Sequence, residues 1–399
     1  MPTTPCTIRP WLAGGTLAGL TALLRRAAAT FAMAAPLAAV VPAVAQELDT
    51  SLGESVVMVP AGGITEPTLE VTVYRPPGDG PFPVLVVNHG RAAGHAKLQP
   101  RYRPVLAARA FVQRGWAVVV PMRQGFSQSG GSEITSGCNV HSNGLQQARS
   151  VRRTLDWVAQ QPWADVARNV VLGQSHGGLT TLAYGTDPHP GTRLLVNFAG
   201  GLRQESCTAW QQNLIGAIGD YGAKATLPSL WFYGDNDSFF PPFVWQGAHA
   251  RYTAAGGRAE LVAFGSFGSD AHSLFGSRAG LPIWLPRLLA ALDSAGLPTQ
   301  VLHALPVAAD LAAPPASGFA TLADLERVPV RTDRARAGYQ TWLAAESPRA
   351  FAIHPTQGSW AAAAGGERPI ARALANCARF AKAPCRLYAV DDAVVWTAD

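Results

Sequence analysis

The chain has 399 residues, 48% of them hydrophobic and 15% charged, enough apolar material for one large core with a smaller unit beside it and too much for a disordered chain. Its formal charge of +6 falls to +3 once the first 45 residues, which hold Arg9, Arg25, Arg26 and no acidic residue, are set aside. So weak a positive balance does not build the clustered Lys and Arg surface that nucleic acid requires, and no nucleic-acid partner is expected.

Arg25-Arg26 precede a mostly apolar run from Ala27 to Pro42, followed by the small residues Ala43-Val44-Ala45. A positive flank, a short apolar stretch and a small-residue cleavage site are the parts of a secretory signal peptide. Residues 1–45 are therefore expected to be removed and the remainder exported, to a periplasm or beyond. The run is shorter than the ~20 residues a spanning helix needs, so no stable membrane span is expected after removal. Cys6 leaves with the segment. Cys138, Cys207, Cys377 and Cys385 remain, an even number suited to two disulfides in an oxidising compartment, with buried free thiols as the alternative.

Residues 46–297 read as one catalytic domain. Ser55 to Val59 and Leu69 to Tyr74 form an opening antiparallel pair, joined by the turn-rich Gly62-Gly63 to Pro67. Short apolar runs follow at Pro83 to Val87, Ala117 to Val120, Val170 to Leu172, Leu194 to Phe198, Ser229 to Tyr233 and Glu260 to Phe264, and these read as buried strands. Helical stretches alternate with them at Val105 to Arg114, Leu145 to Gln160, His176 to Tyr184, Trp210 to Ile218, Phe243 to Ala254 and Pro282 to Ser294. In the second of these, Leu145, Val151, Leu155 and Val158 share one face. Such alternation predicts an α/β fold, a mostly parallel sheet with helices on both faces.

From residue 298 to 317 the composition turns to Ala, Pro and Leu, with Pro314-Pro315, and reads as a linker. Residues 318–399 then suggest a small α+β accessory module, with helices at Arg331 to Ala344 and Ile370 to Phe380 and a hairpin of Arg386 to Val390 and Ala393 to Trp396 around Asp391-Asp392. Cys377 and Cys385 lie close enough in sequence to pin it, and Cys138 with Cys207 suits a tie across two loops at one sheet edge.

Gly173-Gln174-Ser175-His176-Gly177 is the only G-x-S-x-G in the chain. Val170 to Leu172 supply a strand before it and Leu179 to Tyr184 an apolar helix after it, so Ser175 falls at a strand-to-helix turn, where small flanking residues let the backbone double back and expose a nucleophilic hydroxyl. A base is needed at the same edge, and His272 sits after the strand ending at Phe264. Asp237, after the strand ending at Tyr233, is placed to orient that base, with Asp235 and Asp270 as alternatives. The spacings, 62 residues from Ser175 to Asp237 and 35 from there to His272, amount to two and one strand–helix–strand units. The N–H of His176, opening a helix, and that of Arg91, after Gly90, are candidate oxyanion donors. His89 as a base is the rival reading, against a loop-bracing role. Arg123, in a glycine-rich loop, is a candidate for an acidic substrate group or a brace. Phe239 and Phe240, with Trp245 and Trp210, are candidate apolar lining. The histidines show no metal-ligand spacing, and no Walker or dinucleotide glycine pattern appears, so neither metal nor cofactor is expected.

These residues resemble the dienelactone-hydrolase-related and prolyl-oligopeptidase-like branch of the α/β-hydrolase superfamily, through Val86 to Gly90 (VVNHG), the loop from Arg123 to Gly131, the elbow at Gly173 to Gly178, Tyr233 to Ser238 (YGDNDS) and Asp270-Ala271-His272. The resemblance spans about Ser55 to Leu297 and implies the α/β-hydrolase fold, the chain order Ser, Asp, His, and ester, thioester or peptide-like acyl substrates. Ser175 stands where dienelactone hydrolases use cysteine. An exported serine hydrolase of carboxylic esters is expected, with an aminopeptidase-like amide hydrolase as the alternative. A silent binding protein on the same fold is the alternative of another class.

Overall fold

The computed structural model describes residues 48–63, 66–307, 309–345, 347–379, 381 and 383–397. The expected signal segment, with Cys6 and the Arg25-Arg26 pair, lies outside the described residues, as does Phe380. Among the described residues no helix is long and apolar enough to cross a membrane.

The elements run β1 (Ser55–Val59), β2 (Leu69–Tyr74), β3 (Phe82–Asn88), α1 (Val105–Val112), β4 (Ala117–Pro121), α2 (Val140–Val158), β5 (Ala164–Gln174), α3 (His176–Tyr184), β6 (Thr192–Phe198), α4 (Trp210–Gly222), β7 (Pro228–Tyr233), α5 (Pro242–Ala254), β8 (Arg258–Ala263) and α6 (Leu281–Ser294). Eight strands pair in the order β1-β2-β4-β3-β5-β6-β7-β8. β2 is antiparallel to both its neighbours, and from β4 to β8 the pairing is parallel.

Alternation within a strand decides the layers. In β3, Val84 and Val86 pack with α2 to α5, while Leu85 and Val87 pack with α1 and α6. The chain leaves β3 for β4 on one side, then crosses to β5 on the other. The crevice at the switch therefore lies between the carboxyl ends of β3 and β5, where open α/β sheets place their ligands.

Each strand and helix expected up to Ser294 is present, with shifted ends. The largest shifts are at β5, which begins at Ala164 instead of Val170, and at α2, which begins at Val140 instead of Leu145. Asn139 caps it, accepting from Ser142 N–H at 2.9 Å, and the glycine inside it, Gly144, leaves room for Tyr221, whose hydroxyl would stand 2.3 Å from any Cβ there. Cap and tertiary fit thus override the poor helix propensity of that first turn.

Residues 298–317 carry no helix or strand among those described, and they are held by hydrogen bonds to the first sheet's half of the chain. Leu302 and His303 donate to Gln113 O at 2.7 and 2.9 Å, and Trp116 Nε1 donates to Pro298 O at 2.9 Å. Beyond them lie α7 (Asp333–Leu343), β9 (Arg349–Ile353), β10 (Trp360–Ala364), α8 (Pro369–Ala378), β11 (Arg386–Val390) and β12 (Ala393–Val394). The strands form a second, antiparallel sheet in the order β10-β9-β11-β12. The expected β11–β12 hairpin is there, whereas β9 and β10 were not anticipated. β10 reads Trp-Ala-Ala-Ala-Ala, a helix-prone run drawn into strand by pairing with β9. Disulfides join Cys138 to Cys207 and Cys377 to Cys385.

Candidate active site

Ser175 sits between β5 and α3 at φ 56° and ψ −125°, a left-handed conformation that costs an L-residue strain and turns its side chain out at the sheet edge. The glycines around it are dictated by close approach. A Cβ on Gly173 would stand 2.1 Å from Gly177 O, one on Gly177 2.1 Å from Asn88 O, and one on Gly178 2.6 Å from the Cα of Gly200. Across the crevice, Gly90 brings the backbone after β3 alongside, its Cβ position 3.3 Å from that of Ser175.

His272, in the loop after β8, directs Nδ1 to Asp237 Oδ2 at 2.9 Å. The other Asp237 oxygen accepts the N–H groups of Phe239 and Phe240 at 2.8 and 2.9 Å, which fixes the carboxylate. The alternatives to Asp237 are placed otherwise. Asp235 is exposed, and Asp270 accepts from His272 N at 2.9 Å and from Ser238 Oγ at 2.6 Å, capping the turn that carries His272. Burial raises the pKa of Asp270, but the bonds from Ser238 and from the His272 N–H outweigh it, and the net shift is downward. Gln174 Nε2 holds the His272 carbonyl at 2.8 Å from the strand beneath.

Ser175 and His272 line one cavity of about 520 Å³ together with Gly90, Arg91 and Phe239. Phe239 is 43% exposed, its ring 4.5 Å from that of His272. Phe240 is buried, its ring 5.7 Å from His272, and underlies the site rather than facing it. Trp245 is likewise buried in the core, against Tyr233, and Trp210 packs beside Phe240.

Arg123 does not face the cavity either. Its side chain is fully buried, and its guanidinium donates to His89 O, to Gln147 Oε1 at 3.1 Å and towards His176 Nδ1 at 3.4 Å. Burial pushes this guanidinium down to about 9, with Glu133 opposing, so it stays charged at neutral pH. Arg123 ties the loop after β3 to the start of α3, the two segments that flank Ser175.

The two histidines it holds are neutral. Burial first, and the Arg123 charge second, push His89 and His176 well below the ordinary imidazole range. Arg123 N–H donates to His89 Nε2 at 3.1 Å, so Nδ1 carries the proton and donates to Gly90 O at 2.6 Å. By the same logic His176 receives Arg123 at Nδ1 and donates from Nε2 to Asn143 Oδ1 at 2.7 Å. Both nitrogens of each ring are thus engaged within the protein. The backbone N–H of His176 belongs to the first turn of α3, whose donors have no carbonyl within the helix.

Part of the cavity wall was not foreseen. Ala364, Gly366, Glu367, Arg372 and Asn376, all from the second sheet's half of the chain, line it opposite residues of the first. No motif marks them, because their place follows from how the two sheets pack.

The strand order, the crossover between β3 and β5 and the strained turn at its mouth are those of the α/β-hydrolase fold. The family profile of the X-Pro dipeptidyl-peptidases (S15 family) matches residues 67–226, less than half of the chain. No curated protein matches it. Among solved structures, a Klebsiella pneumoniae protein assigned as a dienelactone hydrolase is similar at 18% identity and a TM-score of 0.46, covering 60% of this chain and 98% of its own. The acylaminoacyl peptidase of Pyrococcus horikoshii is similar at 16% identity and a TM-score of 0.46, covering 60% of this chain but 41% of its own. The acetyl xylan esterase of Paenibacillus sp. R4 is similar at 15% identity and a TM-score of 0.44, covering 61% of this chain and 89% of its own.

Proposed function

We propose that the chain is an exported serine hydrolase of carboxylic esters. The observation that carries this reading is the Nδ1–Asp237 bond of His272, which leaves Nε2 for Ser175 on the wall of the same cavity. Ser175 Oγ gives its proton to His272 Nε2 and attacks the ester carbonyl. The N–H groups of His176 and Arg91 receive the oxyanion, each donor worth ~2.7–4 kcal/mol in the transition state. His272, its charge balanced by Asp237, protonates the leaving alcohol and then takes a proton from the water that cleaves the acyl-enzyme. The reading calls for no cofactor. Residues 46–297 carry the chemistry and 318–399 form an accessory module. The two disulfides fit an oxidising compartment and so support export.

Hydrolysis of a p-nitrophenyl ester series and labelling by a fluorophosphonate test it, in the chain and in Ser175→Ala at matched folding. Loss of about 10³-fold or more together with loss of labelling is expected. An unlabelled, inactive but folded wild type would leave a binding protein on this fold. The S15 profile match favours one second reading, an amide or peptide hydrolase, for which p-nitroanilides are cleaved where the esters are not.

A further inference from the structure

The wall of the cavity contributed by the end of β10 and the start of α8 carries charge. Four arginines, Arg91, Arg101, Arg103 and Arg372, line the cavity, against one acidic residue, Glu367. Glu367 is already bound at both oxygens by Arg109, at 2.6 and 2.8 Å. Arg91 is paired with Glu133 at 2.5 Å. Arg101 and Arg103 share a single carboxylate, Glu54, whose side chain is fully buried and also accepts from Asp49 N and the Tyr74 hydroxyl.

Arg372 has no carboxylate partner among the described residues. Its Nη1 donates to Gly365 O at 2.7 Å and Glu367 O at 3.1 Å, and its Nη2 to Ala364 O at 3.0 Å. A guanidinium has five N–H donors, so two remain unused. Burial depresses its pKa, Asp310 opposes this and Arg103 adds to it. Asp310 is itself occupied at the N-terminus of α8, accepting the N–H groups of Ile370 and Ala371 at 2.8 and 3.0 Å. Asp49, the remaining nearby carboxylate, sits with Arg109 at 3.4 Å. The cavity is thus lined by three arginines paired with carboxylates of residues outside its lining, and by one arginine with donors to spare.

We propose that this wall is a substrate subsite, and that Arg372, backed by Arg101 and Arg103, receives a carboxylate borne on the acyl chain of the ester. The inference rests on the reading of Ser175 as nucleophile and adds to it the class of acyl group preferred. A planar guanidinium with two free N–H groups matches a carboxylate in shape as well as charge, which an apolar acyl chain cannot use.

The full chain is assayed with mono-p-nitrophenyl adipate and with p-nitrophenyl hexanoate, an uncharged ester of the same acyl length, subtracting the rate in Ser175→Ala. The ratio of the two kcat/KM values is expected to favour the adipate by about tenfold or more and to fall as salt rises. Arg372→Gln is expected to lower that ratio about tenfold, chiefly through KM for the adipate, and Arg372→Lys to restore part of it. Because a ratio is read, general damage to the fold cancels. A wild-type ratio of one or below, or an equal ratio in wild type and Arg372→Gln, overturns the subsite. If neither ester is cleaved, the ester reading fails separately, and calorimetry with glutarate decides the subsite alone. Binding to the wild type that weakens in Arg372→Gln upholds it, and absence of binding overturns it.

Discussion

Arg109 on α1 and Glu367, just ahead of α8, stand 258 residues apart in sequence and meet through two hydrogen bonds, Nε to Oε1 at 2.6 Å and Nη2 to Oε2 at 2.8 Å. Their side chains are 9% and 4% exposed, so solvent screens the pair little. This contact clamps the second sheet onto the first beside the cavity. Removing one partner strands the other. Glu367→Ala is expected to cost about 3 kcal/mol in urea denaturation, and the double variant Arg109→Met/Glu367→Leu to recover most of it. A loss below about 0.5 kcal/mol in the single variant would mean that the clamp is incidental.

The two aspartates near His272 separate by role. Asp237→Asn is expected to lower kcat by about 10³- to 10⁴-fold, because the imidazole loses its orienting carboxylate. Asp270→Asn weakens a cap and is expected to cost about 1 kcal/mol of stability, with activity reduced less than about tenfold. Equal kinetic losses in the two variants would undo the assignment.

Acid sensitivity should appear early. His89 and His176 have folded-state values well below their unfolded 6.5, so above pH 6.5 both states are neutral and stability is fully present. As pH falls below 6.5 the unfolded chain takes up protons that the folded chain refuses, and each group removes up to about 1.4 kcal/mol per pH unit. The depressed carboxylates Glu54 and Asp270, with ordinary values of 4.5 and 3.8, start to lose stability only at lower pH. Urea midpoints between pH 6.5 and 5 therefore isolate the histidines, and His176→Asn should reduce the slope there by about half. A flat profile in that window would show that the two rings can charge in place.

The two disulfides should differ in worth. Cys138–Cys207 closes a separation of 69 residues and Cys377–Cys385 one of 8, so chain entropy assigns them about 4 and about 2.5 kcal/mol. Paired Cys→Ala variants, compared by denaturation, test the order. A larger loss at the short bridge would mean that local geometry, not loop entropy, governs.

The first sheet was legible because its strands announce themselves as short Val- and Leu-rich runs and its helices by their apolar faces. Ser175 could be read from the glycines that its turn needs, and Asp237 and His272 from their positions after consecutive strands. Arg123 shows the limit of that method. A loop arginine at the active edge reads equally as ligand or brace, and only its contacts with His89, Gln147 and His176 decide. Asp310 is another case: nothing in an Ala- and Pro-rich stretch reveals that one carboxylate caps a helix sixty residues onward. Arg372 and Asn376 were silent because packing between two sheets is a long-range property with no local signature.

The cavity draws its walls from Met122 and four stretches of chain, around residues 89–107, 174–175, 239–276 and 364–376. During synthesis the groups assigned to bond cleavage are all present once residue 276 has emerged, yet the last wall is still to be made. On the proposed reading, a chain still lacking that wall would present Ser175 over an open trough, without the arginine of α8 to select an acyl group. Selectivity, on that reading, would be the last property the growing protein acquires.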